Sequence, residues 1–600
     1  MIVKMNKVTL FVRQQDRDMV LNDLRRLGVL HVQAVQNPVA EDIDRLERSM
    51  RETVRALEII GGDENPPHES GAPADKEGVA GSADGSKRVE RALALADEKQ
   101  ELAREKEEIA EPLAWFESWG EVSLATLQSL SDAGIHVRFY PIVRSELKRF
   151  QDRTDLFPVR EDKATIQLVQ ITDDADDVLD LKQDPMPPVE IKEVRNRISE
   201  IDARIAEIEG TLKSLRPERH TIERCLAGLE KKLEMIRVRH GMGEEERFAY
   251  LQGYCPDRQT DGIVKLATAH GCGYVIAEPD DPEKVPTLIE KPRWLKIIDP
   301  LFDFMGTLPG YTEHDISFWF LLFFSLFFAI LIGDAGYGLV FILLTLWARR
   351  KNPQAPPQPY ILMYLLGGCT VVWGLITGTW FGFEKIARLP ILNSVIIDQI
   401  YSYANENQLF LMYFCFIIGV VHLSIAHALV GLKIINSPRA LGQLGWILIL
   451  WTLFFVAGGL VLARPMPDFT LTLFIAGVLL ALFFSNYQKN IFKGALQSLS
   501  DLPMSIISSF SDVVSYLRLF AVGYATVTVA MSFNGMAAQS GFGSVLAGVV
   551  SAFILFFGHG LNIILGLMSV VVHGIRLNML EFSGHVDMQW SGKEYKPLKD

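Results

Sequence analysis

The 600-residue chain lacks the marks by which most enzymes show themselves in sequence. It has no GxxxxGK loop followed by Ser or Thr, no HExxH helix and no GxSxG turn. That excludes the common nucleotide, zinc-protease and serine-hydrolase sites. Cysteine is scarce: Cys225, Cys255, Cys272, Cys369 and Cys415 are an odd set without CxxC spacing. They suggest free thiols rather than a disulfide framework or a thiolate metal site. No metal or organic cofactor is implied. A basic excess is also missing, since 72 Asp and Glu against 59 Lys and Arg give a net charge of −13. Phosphate-rich partners need a basic surface, so nucleic acid is not expected to bind. The opening residues 1–7 lack the apolar core of a secretory signal, and residues 1–300 are expected to stay in the cytoplasm.

What the chain does have is divided sharply. Most charged residues fall in 1–300, whereas 316–582 is dominated by Leu, Ile, Val, Phe, Ala and Gly. In the first half, Val194, Ile198, Ile201, Ile205, Ile208, Leu212 and Leu215 recur at steps of four and three. Ile222, Leu226, Leu229, Leu233 and Ile236 continue this heptad seam after an interruption at Pro217 and Arg219. The seam implies a rod about 65 Å long. It needs partners, and the helix-favouring stretches 41–60 and 87–113 can fold back along it.

Between those stretches, residues 61–86 are rich in Gly, Pro, Asp, Glu and Ser and are expected to be a disordered loop. A distal lobe over 115–187 contains strand-like runs at 135–142 and 164–171. A proximal lobe joins 1–40 to 245–300 through two βαβ-like pieces. The fold class is therefore mainly α. A cytoplasmic antiparallel coiled-coil dumbbell (41–113 and 190–240) with two α/β lobes precedes a transmembrane domain over 301–600.

Apolar runs near 316–333, 336–348, 360–381, 408–432, 441–463, 469–486, 504–533 and 545–581 predict eight spans. With a cytoplasmic N-terminus, the inner loops hold Arg349, Arg350, Lys351, Lys433, Arg439, Lys489, Lys493, Lys593, Lys596 and Lys599. The outer loops hold only Lys385, Arg388 and Arg464. This agrees with the positive-inside rule, and merging the first two spans would reverse it. Both termini are then cytoplasmic. The last two runs exceed the hydrocarbon thickness, so those helices tilt or project beyond it.

An arginine at mid-membrane costs about 3 kcal/mol or more, and one is retained only for a purpose. Arg518 shares a face with Ser508, Ser511 and Ser515 at helical spacing. Asn562, Gly566, Ser569, His573 and Arg576 form a second polar stripe on the last run. The stripes suggest a hydrated ion path. The bland alternative has the serines bonding back to carbonyls and Asp512 or Glu581 serving as counter-ions. Guanidinium keeps its proton at biological pH, so Arg518 acts as a fixed charge toward a carboxylate rather than as a relay. No obvious carboxylate lies at that depth in this chain, and the acid is expected from another subunit. His422, His427 and His559 read as packed or hydrogen-bonded helix contacts.

At these residues the chain resembles a known family. Ser515-Tyr516-Leu517-Arg518-Leu519-Phe520-Ala521 and the run 572–582 are similar to the last two spans of the membrane stator subunit of V/A-type rotary ATPases, subunit a or I. The runs 333–338, 378–382 and 418–423 fit its earlier spans. The resemblance covers essentially the whole chain. It implies that Arg518 gates ion passage against the carboxylates of a rotating c/K proteolipid ring, with Arg576 supporting it. Ser569 and His573 would line a half-channel, with Asp334 a candidate for the outer one. It implies further partners: peripheral stalks of E/G-type subunits and, through the complex, a central-stalk cap subunit and an A/B catalytic head. The setting would be the cell membrane of a bacterium or archaeon. Eukaryotic relatives carry glutamate where this chain has Met504 and Gly566. H⁺ and Na⁺ both stay open as the ion. A secondary cation transporter and a pure membrane-anchored scaffold are the competing readings. The first predicts inverted repeats, which are not found, and the second leaves Arg518 unexplained.

Overall fold

A computed structural model describes residues 1–61, 80–143, 150, 153–161, 165–245, 247–487, 491–541 and 544–599. The fold is mainly helical. The loop expected at 61–86 falls largely outside the described residues, and its last part begins the helix Ala80–Trp119 instead.

Residues 34–243 form one compact unit. The helix Ala80–Trp119 lies antiparallel to Ile191–Leu215, because Glu98 and Lys99 meet Arg204 and Glu209 while Glu105 meets Arg197. Such exposed pairs add little stability, yet they report the register. The seam buries one residue in seven, Val194, Ile201, Ile208, Leu215 and Ile222, and leaves the alternate positions half-buried. Pro217, which cannot donate to a preceding carbonyl, sits in a short turn, and the helix resumes over Arg219–Gly241. There Cys225 is buried where the seam expected Leu226. At the other end, Trp115, Phe116 and Trp119 pack on Phe139 and Val169. The latter belong to an antiparallel sheet ordered His136–Val143, Thr165–Thr172, Leu156–Glu161.

The second unit joins residues 1–33 to 244–600. This differs from the division expected near residue 300. The four main strands of its sheet are ordered His31–Gln33, Phe248–Pro256, Met5–Arg13, Gly273–Ala277, all antiparallel. The two βαβ-like pieces thus interleave, each outer strand pairing with the other piece's first strand, a split βαβ arrangement. Main-chain and terminal contacts bind this sheet region to the apolar half. The Met1 amine lies 2.8 Å from Asp315. The C-terminal tail returns as well: Lys593–Glu594 pairs with Pro286–Thr287, and Leu598 N–H donates to Leu30 O at 2.9 Å. His31 Nδ1 accepts from Lys596 N–H at 3.0 Å.

The apolar helices are Ser317–Ile332, Ala335–Lys351, Pro357–Thr377, Gln408–Lys433, Arg439–Leu462, Thr470–Phe484, Ile491–Ser515, Leu517–Ser540 and Val545–Ser569. Among the described residues, five stretches are long and apolar enough to cross a membrane alone: Pro357–Thr377, Gln408–Lys433, Arg439–Leu462, Phe492–Ser540 and Val545–His585. The first two helices turn by 117° at their junction, and Thr470–Phe484 is shorter. Phe492–Ser540, at 49 residues, is longer than the expected 504–533. It would extend about 73 Å if straight.

The junction of the first two helices explains the run 333–338. Gly333 takes φ +68° as the left-handed end of one helix, and Asp334 caps the next. Asp334 Oδ1 accepts from the N–H groups of Gly336 (2.7 Å), Tyr337 (3.3 Å) and Phe381 (2.9 Å), and Oδ2 from Gly382 (3.1 Å). Gly374 has no room for a side chain: a Cβ there would stand 2.1 Å from Ala335 N. The hairpin tip is therefore packed against the C-terminal end of Pro357–Thr377, as small residues allow between apolar helices.

Candidate functional site

Arg518 follows a break in the longest apolar stretch. The helix Ile491–Ser515 ends, Tyr516 intervenes and Leu517 starts the next helix. Tyr516 is fully buried and its hydroxyl meets His422 Nδ1 at 2.8 Å. The His422 ring is itself stacked between Phe323 and Phe582, with centroids 3.9 and 4.2 Å away. This aromatic clamp fixes the break, and with it the direction of Arg518.

The last helix changes winding at the same place. After Ser569 it is π-helical over Val570–Gly574 and again over Leu577–Phe582. π-Turns bond residue i to i+5 and occur often at functional sites. The wider winding brings Glu581, five residues after Arg576, round toward it. Glu581 Oε1 lies 3.6 Å from Arg576 Nε and 4.0 Å from Arg518 Nη1. Ser515 Oγ reaches the same oxygen at 3.2 Å. The Glu581 side chain is 4% exposed, Arg518 24% and Arg576 52%.

This corrects one expectation. Arg518 does have a carboxylate in its own chain, although it lies one span away in sequence. The pairing is loose, because 3.6 and 4.0 Å exceed hydrogen-bond length. Arg518 Nη1, His573 Nδ1 and Glu581 Oε2 are buried without a hydrogen-bond partner among the described residues. Native interiors leave few such atoms, so an unpartnered guanidinium nitrogen beside a half-used carboxylate marks a place for polar chemistry. Two guanidiniums and one carboxylate also leave a net charge of +1 between apolar helices.

The remaining sequence-derived residues divide. Ser508 and Ser511 are exposed on the same helix, and Ser515 is half-buried at the cluster. Asp512 Oδ2 faces His585 Nε2 at 3.2 Å. Ser569 bonds back to Leu565 O, the bland role of a helix serine. Asn562 is not on a hydrated stripe: it is buried, donating to Tyr337 Oη at 3.0 Å and to Thr526 O at 2.8 Å. Gly566 is buried too. The second stripe thus passes from core to surface along its length, because a four-three spacing drifts round an α-helix and the π-turns shift it further. Asp334 is likewise corrected. Its oxygens are committed to four main-chain donors, which makes it a cap rather than a free carboxylate.

Sequence reasoning did not single out His585, Tyr516 or Gln443. The spacing Glu581-x-x-x-His585 on a polar continuation of the last apolar run was the available signal for the first.

No protein-family model matches the chain. It is 29% identical to the V-type ATP synthase subunit I 1 of Treponema pallidum (strain Nichols), covering 100% of both proteins. It is 29% identical to the V-type ATP synthase subunit I of Borreliella burgdorferi, covering 100% of this chain and 99% of that one. The A-type ATP synthase subunit I of Methanocaldococcus jannaschii is 28% identical over 66% of this chain and 63% of its own length. Among solved structures, the cytoplasmic N-terminal domain of subunit I, homolog of subunit a, of V-ATPase covers 45% of this chain and 99% of its own. Its identity is 16% and its TM-score 0.26.

Proposed function

We propose that this chain, a homologue of V/A-type ATP synthase subunit I, is the stator membrane subunit that moves ions against a rotating c/K proteolipid ring in a rotary ATPase. The observation that carries the reading is the Arg518–Glu581–Arg576 cluster, with its surplus positive charge and unused Arg518 donor. An uncompensated charge at membrane depth is costly until a carboxylate approaches it. A ring carboxylate passing the cluster would lose its proton or metal ion there, since an adjacent guanidinium favours the ionised form. Arg518 is the gate and Arg576 its support. Ser508, Ser511, Ser515, Asp512, Glu581 and His573 line the approach, whereas Asn562 and Asp334 hold the helices in place.

The apolar half crosses the membrane eight times in this reading. The hairpin tip at Gly333–Asp334 meets the end of Pro357–Thr377, which supports limbs as deep as that 21-residue helix. The tail's docking beside the N-terminal sheet supports an even number of crossings, with both termini in the cytoplasm of a bacterium or archaeon. Residues 1–300 act as the stator arm whose lobes hold E/G-type peripheral stalks, and the A/B catalytic head connects through them and a central-stalk cap. Coupling of ion flow to ATP hydrolysis or synthesis follows.

The test is Arg518→Ala in the whole complex, reconstituted in liposomes. ATP-driven ion pumping should fall at least about 100-fold, the scale on which loss of a key electrostatic group acts, while the complex stays assembled. Normal pumping by an assembled variant would overturn the mechanism.

A further inference from the structure

Beside the arginine cluster, four side chains from four chain segments stand in a row. Asp512 Oδ2 lies 3.2 Å from His585 Nε2. His585 Nδ1 lies 2.9 Å from His427 Nε2, and His427 Nδ1 lies 2.6 Å from Gln443 Oε1. The row runs between the helices Gln408–Lys433, Arg439–Leu462 and Ile491–Ser515 and the end of the last helix. His427 is six residues from Lys433, whose ammonium donates to Thr312 O, and Gln443 lies in the first turns after Arg439. One end of the row is therefore at the basic α-helical turn that the positive-inside rule assigns to the cytoplasm. The other end, Asp512, is 27% exposed beside the exposed Ser508 and Ser511, three residues before Ser515.

The hydrogen count of this row is unusual. Each imidazole offers one donor and one acceptor when neutral, a carboxylate only accepts, and an amide can present oxygen or NH₂. With the amide NH₂ toward His427, two neutral rings complete every bond and end on ionised Asp512. With Oε1 toward His427, the geometry given above, His427 Nδ1 must carry hydrogen. Then either one ring is an imidazolium or Asp512 is protonated. The row closes its hydrogen bonds in two states that differ by one proton.

We propose that Gln443, His427, His585 and Asp512 form a proton wire between the cytoplasmic face and the arginine site, and that the transported ion is H⁺. This rests on the rotary reading above and assigns the ion that reading left open. Starting from the state with the amide NH₂ toward His427, Gln443 turns over, an O–H bond of hydronium breaks as its proton joins His427 Nδ1, and Gln443 Oε1 then accepts from that N–H in the geometry observed. The His427 Nε2–H bond breaks as its proton joins His585 Nδ1, and the His585 Nε2–H bond breaks as its proton joins Asp512 Oδ2. Each hop breaks one bond to hydrogen and makes one, and a single positive charge moves the length of the row to neutralise Asp512. Asp512 then passes the proton to the partner's carboxylate, and the rings reorient. A metal cation has no such route, because imidazole nitrogens 2.9 Å apart leave no space for it. The charged and titratable groups around the row are Asp512 and Glu581 toward the arginines and His422 on the helix of His427. The Trp446 ring stacks on His427 from the Arg439–Leu462 helix.

The experiment uses the intact complex in liposomes with ATP, reading lumenal acidification in sodium-free buffer and ²²Na⁺ uptake in parallel. Acidification without sodium is expected, with a solvent deuterium slowing of pumping. His427→Gln and His585→Gln should each reduce acidification at least tenfold in an assembled complex, and added imidazole should restore part of it. A purely structural role would give neither the imidazole rescue nor the loss of the isotope effect. Sodium-dependent pumping, or histidine variants that acidify at the normal rate, would overturn the proposal. If Arg518→Ala is inactive while the histidine variants pump normally, only the wire fails. If Arg518→Ala pumps, the rotary reading fails as well.

Discussion

Arg518 and Glu581 stand 4.0 Å apart on different helices, near enough to attract and too far to share a hydrogen bond. The carboxylate divides itself between this guanidinium and that of Arg576. A loosely held arginine keeps donors for a passing partner, whereas a tightly bidentate one would already be spent.

Glu581→Gln should therefore weaken coupling without abolishing it. The amide oxygen still accepts from Ser515, but the two guanidiniums then repel each other without a shared anion. A roughly tenfold fall in ions pumped per ATP is expected, against near-complete loss for Arg518→Ala. Measuring pumping and hydrolysis on the same vesicles separates the two. Equal losses would mean that Glu581 is as necessary to the gate as Arg518.

Asp334 should behave as a structural cap. Asn keeps the oxygen that accepts three of its four N–H bonds but turns an amide toward Gly382 N–H, so Asp334→Asn should cost about 1–2 kcal/mol. Asp334→Ala leaves all four donors without that acceptor and should cost more than about 3 kcal/mol. Thermal unfolding in detergent ranks the variants. A stable alanine variant with impaired transport would return Asp334 to the ion path.

Docking of the C-terminal tail should loosen in acid. Burial pushes the His31 ring below its ordinary value, outweighing the bond that a protonated Nδ1 would give the Lys596 carbonyl 2.9 Å away, and Lys593 and Lys596 add to the shift. The folded state thus prefers the neutral ring. Its contribution is complete above the unfolded value of about 6.5 and is lost as pH falls through the lower folded value. Hydrogen exchange at residues 593–598, taken relative to each amide's intrinsic rate, should rise as pH falls from 7.5 to 5. In His31→Gln that rise should largely disappear; an unchanged pH response would exonerate the ring.

Sidedness is open to direct labelling. A cysteine introduced between 384 and 398 in a background without the five native thiols should react with an impermeant maleimide added outside intact cells. Reaction only after the inner face is exposed would contradict eight spans.

Much of this was legible because it depends on short-range periodicity. The heptad file from Val194 to Ile222, the apolar runs and the two arginines are properties of one helix at a time. What the sequence concealed depends on winding or on distant partners. A pattern read at 100° per residue cannot anticipate π-turns, so Glu581 looked like a remote counter-ion and Asn562 like part of a wet stripe. Asp334 looked like a free acid because its donors at Phe381 and Gly382 are almost 50 residues away. His427 and His585, 158 positions apart, meet only in the folded chain.

The returning tail has a mechanical consequence. Tyr595 Oη donates to Val29 O, Leu598 N–H donates to Leu30 O, and Lys593–Glu594 adds to Pro286–Thr287. The chain is thereby a closed loop whose ends are stitched into one sheet region. A sideways push on the last helix, at Arg576 or along its exposed Phe553, Phe556 and Ile564, need not travel back through every preceding helix. From Arg576 it reaches the tail contacts beside the N-terminal strands within about twenty residues of backbone. Cutting or extending the chain near residue 590 would leave the arginine cluster intact and remove its brace.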